Sequence, residues 1–312
     1  MLRSLVITIR IHRSEIAIVG VALLLVATAI VLVTLRLLAT GATECFAHDD
    51  AACPAVLENF YRVRDGEASY LRGTGASLIP VLAGLVLGVP LIGREIELRT
   101  ASLAWSLSAN RSRWLRQRVM PMLTLLVLAL AVVGSLAVLL GDIASPDRPR
   151  AVDSIGAEGI SFVARGVMSF GIATVVGAVM GRTLPAFLLA AALALVVALP
   201  VSTALTAVLA NAQASWRDVL PDAEPPLIQL REAYRVGDGD LMTFDQVLTW
   251  FEGQPPGPDW ERGERDHVPR VELVVDQSRY PVLEWSQTLG LGLIGIVALA
   301  TTGPIVRRRR PL

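Results

Sequence analysis

The chain contains no lysine, because all 28 of its basic residues are arginine. A nucleotide-binding P-loop, a Schiff base and a Ser-Lys dyad each need a lysine side chain, so the sequence excludes all three. If the chain takes part in an ATP-driven process, the ATPase must therefore be another chain.

Histidine and cysteine are also scarce, with three and two residues among 312. No His/Cys cluster has metal-ligand spacing, and neither a Gly-x-Ser-x-Gly elbow nor a His-Glu-x-x-His motif is present. The acidic pairs Asp238/Asp240 and Glu264/Asp266 lie in polar stretches typical of solvated loops. We therefore predict no catalytic residue, no metal site and no cofactor in this chain, and we disfavour an intramembrane enzyme.

Long uncharged apolar runs are the dominant feature that is present. Residues 16–35 and 119–140 carry no charge, and each would span about 30 Å as a helix, the thickness of a bilayer's hydrocarbon core. Similar runs lie at 78–93, 166–181, 184–209 and 289–306. The sequence predicts an all-α polytopic membrane protein with six transmembrane helices, five of them within 16–209 and the sixth within 285–312.

The distribution of charge predicts the orientation of these helices. Segments 1–15, 94–118, 182–183 and 307–312 hold 14 arginines and 3 acidic residues, whereas 41–76, 141–158 and 210–284 hold 12 arginines and 25 acidic residues. By the positive-inside rule the first set is cytoplasmic. We expect a bacterial multi-pass cell-membrane protein with both termini in the cytoplasm.

Two polar regions flank the spans. Residues 1–15 place Leu2, Leu5, Val6 and Ile9 at helical spacing, which indicates an amphipathic interfacial helix or, alternatively, a frayed Arg-rich tail. Residues 210–284 form an extracytoplasmic insert without an assignable fold. Within it, 227–234 and 244–251 are predicted to be helical and 271–275 to be a strand.

Four residues within the predicted spans are candidates for a structural or functional role. Arg36 can extend from the end of its span to the interface, so we interpret it as structural. Arg165 begins the fourth span, where contact with a substrate or with a lipid headgroup is equally plausible. Gly84 and Gly88 form a small-xxx-small step that permits close helix approach, and we group both with Arg165 as candidates for the pathway or a headgroup contact.

The segment between the second and third spans carries the most distinctive pattern. Gly88-Val89-Pro90-Leu91 is followed by Arg94-Glu95-Ile96-Glu97-Leu98-Arg99-Thr100, then by Leu103-Ala104-Trp105 and by Ser108-Ala109-Asn110-Arg111-Ser112-Arg113-Trp114. Further along come Arg165-Gly166, Arg182-Thr183-Leu184-Pro185-Ala186, Ser278-Arg279-Tyr280 and the basic tail Arg307–Arg310.

In this order the motifs resemble permease subunits of ATP-binding-cassette (ABC) transporters of the type-2 export family, especially the single-domain permeases of actinobacteria. Those proteins carry a G-A-P-L run, then R-E-x-E-x-G-T, L-A-W and S-x-x-R-x-R-W. Two positions differ, because Arg99 stands in place of the usual Gly and Pro281 in place of an aromatic residue.

The resemblance implies that this chain is the membrane-spanning, non-catalytic subunit of an exporter. ATP and Mg would bind to a separate ATPase subunit, and a second permease copy would complete a homodimer in contact with membrane lipids. No nucleic acid is expected as a partner.

Segment 94–118 would contain the helix that couples to the ATPase. Its candidate coupling residues are Glu95, Glu97, Thr100, Trp105, Arg111, Arg113 and Trp114. Tryptophan is enriched among interface hot spots, and exposed arginines could meet acidic groups on a partner. Alternatively, the arginines only set topology and bind headgroups. The chain itself could instead be a membrane sensor or scaffold that uses the insert and this segment.

Cys45 and Cys53 both lie in the first extracytoplasmic segment, where the environment is oxidising. We prefer a disulfide between them over two unpaired thiols. Closing a loop of this size would stabilise the fold by about 2–3 kcal/mol on the chain-entropy model. Mass mapping under non-reducing conditions should recover the cross-linked peptides, and free thiols would contradict the pairing.

Overall fold

The computed structural model describes residues 9–47, 53–100, 111–145, 158–218, 227–236, 240–243, 245–247, 249 and 270–308. Within these ranges the helices are α1 (Arg13–Ala39), α2 (Ala42–Ala47), α3 (Cys53–Val63), α4 (Ala76–Glu97), α5 (Arg111–Ala144), α6 (Gly159–Met180), α7 (Thr183–Gln213) and α8 (Tyr280–Arg308). Two π-helical turns, Arg64–Ala68 and Leu71–Gly75, lie between α3 and α4.

Five helical segments are long and apolar enough to cross a membrane, which makes the protein a multi-pass membrane protein. They are Arg13–Ala39, Cys53–Glu97, Arg111–Ala144, Gly159–Met180 and Tyr280–Arg308. Helix α7 has 31 residues, and its stretch Thr183–Ala198 is apolar but shorter than the five segments above. The sixth span and the orientation in the membrane stay predictions.

Helix α6 is the centre of the bundle. Of the residues in its most apolar stretch of 18, 78% are buried. Helices α4, α5, α7 and α8 all pack against it. Glycines allow the backbones to meet. A Cβ atom on Gly295 of α8 would lie 2.7 Å from the carbonyl oxygen of Val167, and one on Gly177 of α6 would lie 2.7 Å from that of Val89.

Gly84 and Gly88 of α4 belong to this packing, and both lie in close contact with α6. A Cβ on Gly84 would lie 2.6 Å from the carbonyl oxygen of Gly166 and 2.7 Å from the nitrogen of Phe170. A Cβ on Gly88 would lie 2.7 Å from the Cβ of Ala173. Both glycines therefore lie in close helix packing within the chain.

The described part of the segment between α1 and α4, which is predicted to be extracytoplasmic, is helical and cross-linked. A disulfide joins Cys45 and Cys53, whose Cα atoms are 5.4 Å apart, and the rings of Phe46 and Phe60 meet edge to face. Of the predicted interfacial helix, only its C-terminal end is described. There residues 9–11 are helical, and His12 forms a turn before α1 begins at Arg13.

The insert contains an antiparallel sheet of β1 (Ser215–Asp218), β2 (Leu227–Val236), β3 (Asp240–Met242) and β4 (Arg270–Asp276), in the order β1-β4-β2-β3. The predicted strand at 271–275 is present as part of β4. The helix predicted at 244–251 is seen in part, because residues 245–247 and 249 are helical.

The helix predicted at 227–234 is wrong, because these residues form β2. An irregularity between Gln229 and Arg231 interrupts the pairing of β2 with β4. Such a bulge shifts the side-chain alternation by one residue, which hides the period of two that identifies a strand. Pairing with β4, whose Val271 and Val275 are fully buried, then decides the conformation.

The glycine packing can be tested by comparing Gly88→Ala with Gly20→Ala. The first places a methyl group 2.8 Å from the carbonyl oxygen of Phe170, whereas nothing lies within 4 Å of a Cβ on Gly20 of α1. We expect Gly88→Ala to lower the free energy of unfolding by about 1–3 kcal/mol, as overpacking does. Gly20→Ala should be neutral or slightly stabilising. Equal melting temperatures of the two purified variants would contradict the packing.

Candidate coupling site at the end of α4

Helix α4 ends in a tight turn at the start of the predicted coupling segment. The N–H of Leu98 donates to the carbonyl oxygen of Arg94 at 3.0 Å, and the N–H of Arg99 donates to that of Ile96 at 3.0 Å. The hydroxyl of Thr100 then donates to the carbonyl oxygen of Glu95 at 3.1 Å. These bonds satisfy carbonyl groups that the last helical turn would otherwise leave without partners.

Arg99 adopts the left-handed conformation, with a φ angle of 58°, at the position where the family pattern has Gly. A residue with this backbone conformation commonly ends a helix, and Gly takes it without steric cost. The departure from the family pattern therefore leaves the turn in place. The arginine side chain adds strain to a backbone conformation that Gly would adopt freely.

Glu97 ties the end of α4 to the start of α7. Its Oε2 accepts hydrogen bonds from the backbone N–H of Thr183 at 2.9 Å and from the Thr183 hydroxyl. The N-cap residue of α7, Arg182, makes no side-chain cap bond of its own. Glu97 thus supplies the missing acceptor from another helix, and its negative charge faces the positive end of the α7 dipole.

Two ion pairs connect the same end of α4 to α1 and α5. Arg94 Nη1 lies 2.9 Å from Glu15 Oε1, and Arg118 Nη1 lies 2.9 Å from Glu95 Oε1. The second contact is ionic without the geometry of a directed hydrogen bond. Glu95 is itself buried, so Arg118 neutralises a carboxylate that is largely removed from water.

His12 is buried beside these pairs at the start of α1, with 2% of its surface exposed. Burial lowers its pKa, and the nearby cations Arg94 and Arg118 act in the same direction, while Glu15 opposes them. A histidine with a lowered pKa is neutral at pH 7. His12 therefore adds no positive charge to this basic end of the protein.

The arginines and the tryptophan of the segment fall into two groups. Trp114 is buried in the apolar core, and the guanidinium of Arg118 lies 5.9 Å from its ring. Arg111 donates to the carbonyl oxygen of Arg307 near the end of α8 at 3.2 Å, whereas Arg113 is exposed. Trp114, like Glu95, thus packs inside the chain, and Arg113 faces outward.

Trp105 lies outside the described residues, as does the rest of 101–110. Thr183 and Arg307 belong to motifs quoted in the sequence analysis, and the structure shows that they contact Glu97 and Arg111. The structure adds three partners outside those motifs, namely His12, Glu15 and Arg118. The only sequence signal for them was the concentration of charge at the ends of the apolar runs.

At the opposite end of the bundle, Arg165 of α6 is buried, and its Nε has no hydrogen-bond partner. Arg165 lies near the start of α6, whereas the candidate coupling residues lie near the end of that helix, where Glu97 contacts Thr183. The structure therefore separates the predicted site residues into two regions, one at each end of the helices.

Comparison with known families identifies the class of the protein. Residues 16–208 match the family described as ABC-2 membrane transporter related, which is more than half of the chain. The chain belongs to this family. It is thus a permease component of an ABC transporter, and such a component is not itself catalytic. No curated protein and no solved structure matches the chain.

The ABC-2 match includes α4, α6, the coupling segment and Arg165. It ends before β1, so the sheet of the insert and α8 lie beyond it. The contacts of the candidate coupling segment therefore fall within the matched region, except for those of Arg94 with Glu15 and of Arg111 with Arg307.

The strain at Arg99 predicts that Arg99→Gly stabilises the ABC-2 permease. Relief of a left-handed conformation should raise the free energy of unfolding by about 1 kcal/mol. Arg99→Ala removes the same charge but keeps the Cβ atom, so it is the matched control. Thermal unfolding of the purified proteins should rank the Gly variant above both others, and equal effects of Gly and Ala would refute backbone strain as the cause.

Proposed function

We propose that this chain is the permease half of an ATP-driven exporter in the cell membrane. Two copies would enclose the substrate pathway, and each would bind a separate ATPase subunit through segment 94–118 on the cytoplasmic side. Both termini would lie in the cytoplasm. The ABC-2 family match supports the class, and the absence of lysine supports a separate motor.

The observation that carries the coupling proposal is the set of ties around 94–118. Glu97 contacts the start of α7, Arg94 contacts α1, and Arg118 contacts the buried Glu95. Arg111 also reaches the end of α8. A displacement of this segment would thus be transmitted to three other helices, α1, α7 and α8, through hydrogen bonds and ion pairs, which is the mechanical requirement for coupling.

The candidate residues take different roles in this proposal. Glu95, Glu97, Thr100 and Trp114 hold the segment on the bundle, because each contacts the permease itself. Arg113 faces outward and, together with Trp105, would contact the ATPase. An exposed arginine can form a bidentate pair with a carboxylate on the partner.

Charge reversal separates docking from general effects of charge. The test is Arg113→Glu in the full-length permease, expressed with the ABC ATPase encoded beside it. If Arg113 pairs with an acidic group, co-purification should weaken by about tenfold or more, as expected for a lost charge-assisted contact. ATPase activity stimulated by the permease should fall in parallel.

The control is Arg62→Glu, which reverses another exposed arginine in the predicted extracytoplasmic segment, where it pairs with Glu58. This variant should co-purify as the wild type does. Deletion of 105–113 provides the stronger perturbation. Unchanged assembly after both the deletion and Arg113→Glu would refute the coupling site, and a permease that binds no ABC ATPase at all would favour the scaffold function.

A further inference from the structure

Three polar side chains on α6 and α8 are buried without hydrogen-bond partners. Arg165 is 8% exposed, Gln287 1% and Thr288 7%. The Nε of Arg165, both amide atoms of Gln287 and the hydroxyl of Thr288 are all unpaired. Most buried polar atoms in proteins are paired, so a cluster of unpaired ones needs an explanation.

These side chains occupy one region of the bundle. Helices α6 and α8 run in parallel, because Gly171 packs on Gly295 and, towards the start of both helices, Gly159 lies near Glu284. Arg165 lies one helical turn before Met168, and Gln287 lies one turn before Leu291. Because the helices are parallel, Arg165 and Gln287 both lie on the predicted outer side of Met168 and Leu291.

The residues below them belong to a single apolar cluster. Met168 and Leu291 are packed in it together with Ala194 and Ala198 of α7. Arg165 and Gln287 thus lie above a shared apolar floor between α6, α7 and α8.

The described part of the chain supplies no counter-ion for Arg165. Glu158, the acidic residue nearest to it along the chain, already pairs with Arg72 at 2.7 Å. Other polar residues of α6 satisfy themselves, since Thr174 donates to the carbonyl oxygen of Phe170 at 2.7 Å and Ser169 to that of Gly166 at 3.0 Å. An unpaired guanidinium within a membrane domain is costly and commonly marks a functional site.

We propose that Arg165, Gln287 and Thr288 form an internal site for the anionic group of an amphipathic transported molecule. This inference rests on the proposed function and specifies its substrate class. The guanidinium would bind a phosphate or carboxylate in bidentate fashion. The amide of Gln287 and the hydroxyl of Thr288 would add neutral hydrogen bonds, and the floor at Met168, Leu291 and Ala198 would contact the apolar part.

The test measures binding by the full chain in detergent, without the ATPase. The probes are phosphatidylglycerol, diacylglycerol with the same acyl chains, and inorganic phosphate, and the readout is the rise of the melting temperature on titration. Phosphatidylglycerol should stabilise the wild type saturably and diacylglycerol should not. Competition by phosphate would indicate a free anion as the natural ligand, and lack of competition would indicate a lipid headgroup.

Arg165→Gln should weaken this binding by about tenfold or more, since it removes the charge-assisted bonds. Arg36→Gln is the matched control, because Arg36 also lies near the predicted outer end of a span but is exposed and paired with Glu67 at 2.6 Å. It should leave binding unchanged. Gln287→Leu should weaken binding to a smaller extent.

Arg165→Met distinguishes a binding residue from a structural one. Without ligand it should melt at or above the wild-type temperature, because it removes a buried charge that lacks a partner. A lower melting temperature would show that Arg165 stabilises the fold and would overturn the proposal. So would wild-type affinity in Arg165→Gln, or failure of every anion to stabilise the wild type. None of these outcomes depends on ATPase co-purification.

Discussion

The bundle depends on backbone-to-backbone contact between α6 and the helices around it. Where a glycine faces the neighbouring helix, carbonyl groups approach within the space that a methyl group would occupy, as at Gly84, Gly177 and Gly295. Lipid is as apolar as leucine, so such close packing is a main source of helix association in a membrane. Surrounded in this way, α6 fixes the relative positions of α4 and α8, and with them both polar ends of the molecule.

At the predicted cytoplasmic end, this rigid arrangement meets a concentration of charge. Arg94 and Glu97 join α4 to helices that are distant in sequence, and Arg118 joins α5 to the end of α4. Because their partners lie on separate helices, these contacts hold the coupling segment at both of its ends. The candidate coupling segment is therefore connected to the packed core at Glu97 and again at Trp114.

Much of this organisation could be predicted from run length and charge. The apolar runs predicted helices at α1, α4, α5, α6, α7 and α8, since only a helix satisfies its own backbone in a bilayer. The direction of side chains could not be predicted in the same way. Trp114 lies in a basic segment that suggested an exposed anchor, yet tertiary packing places it in the core. The bulge in β2 likewise concealed a strand behind a helical spacing.

Two arginines of this permease show how differently a buried cation can be accommodated. Arg118 lies beside Glu95, and the two charges offset each other's loss of hydration. Arg165 is buried on α6, which packs against the helix that carries the unpaired amide of Gln287 and hydroxyl of Thr288, and it has no acidic partner among the described residues. A neutral side chain of similar size would avoid that desolvation cost, so stability alone does not account for an arginine here. A site that must receive and release an anion accounts for the unpaired arginine, because an acidic partner within the chain would compete with the ligand for the same guanidinium.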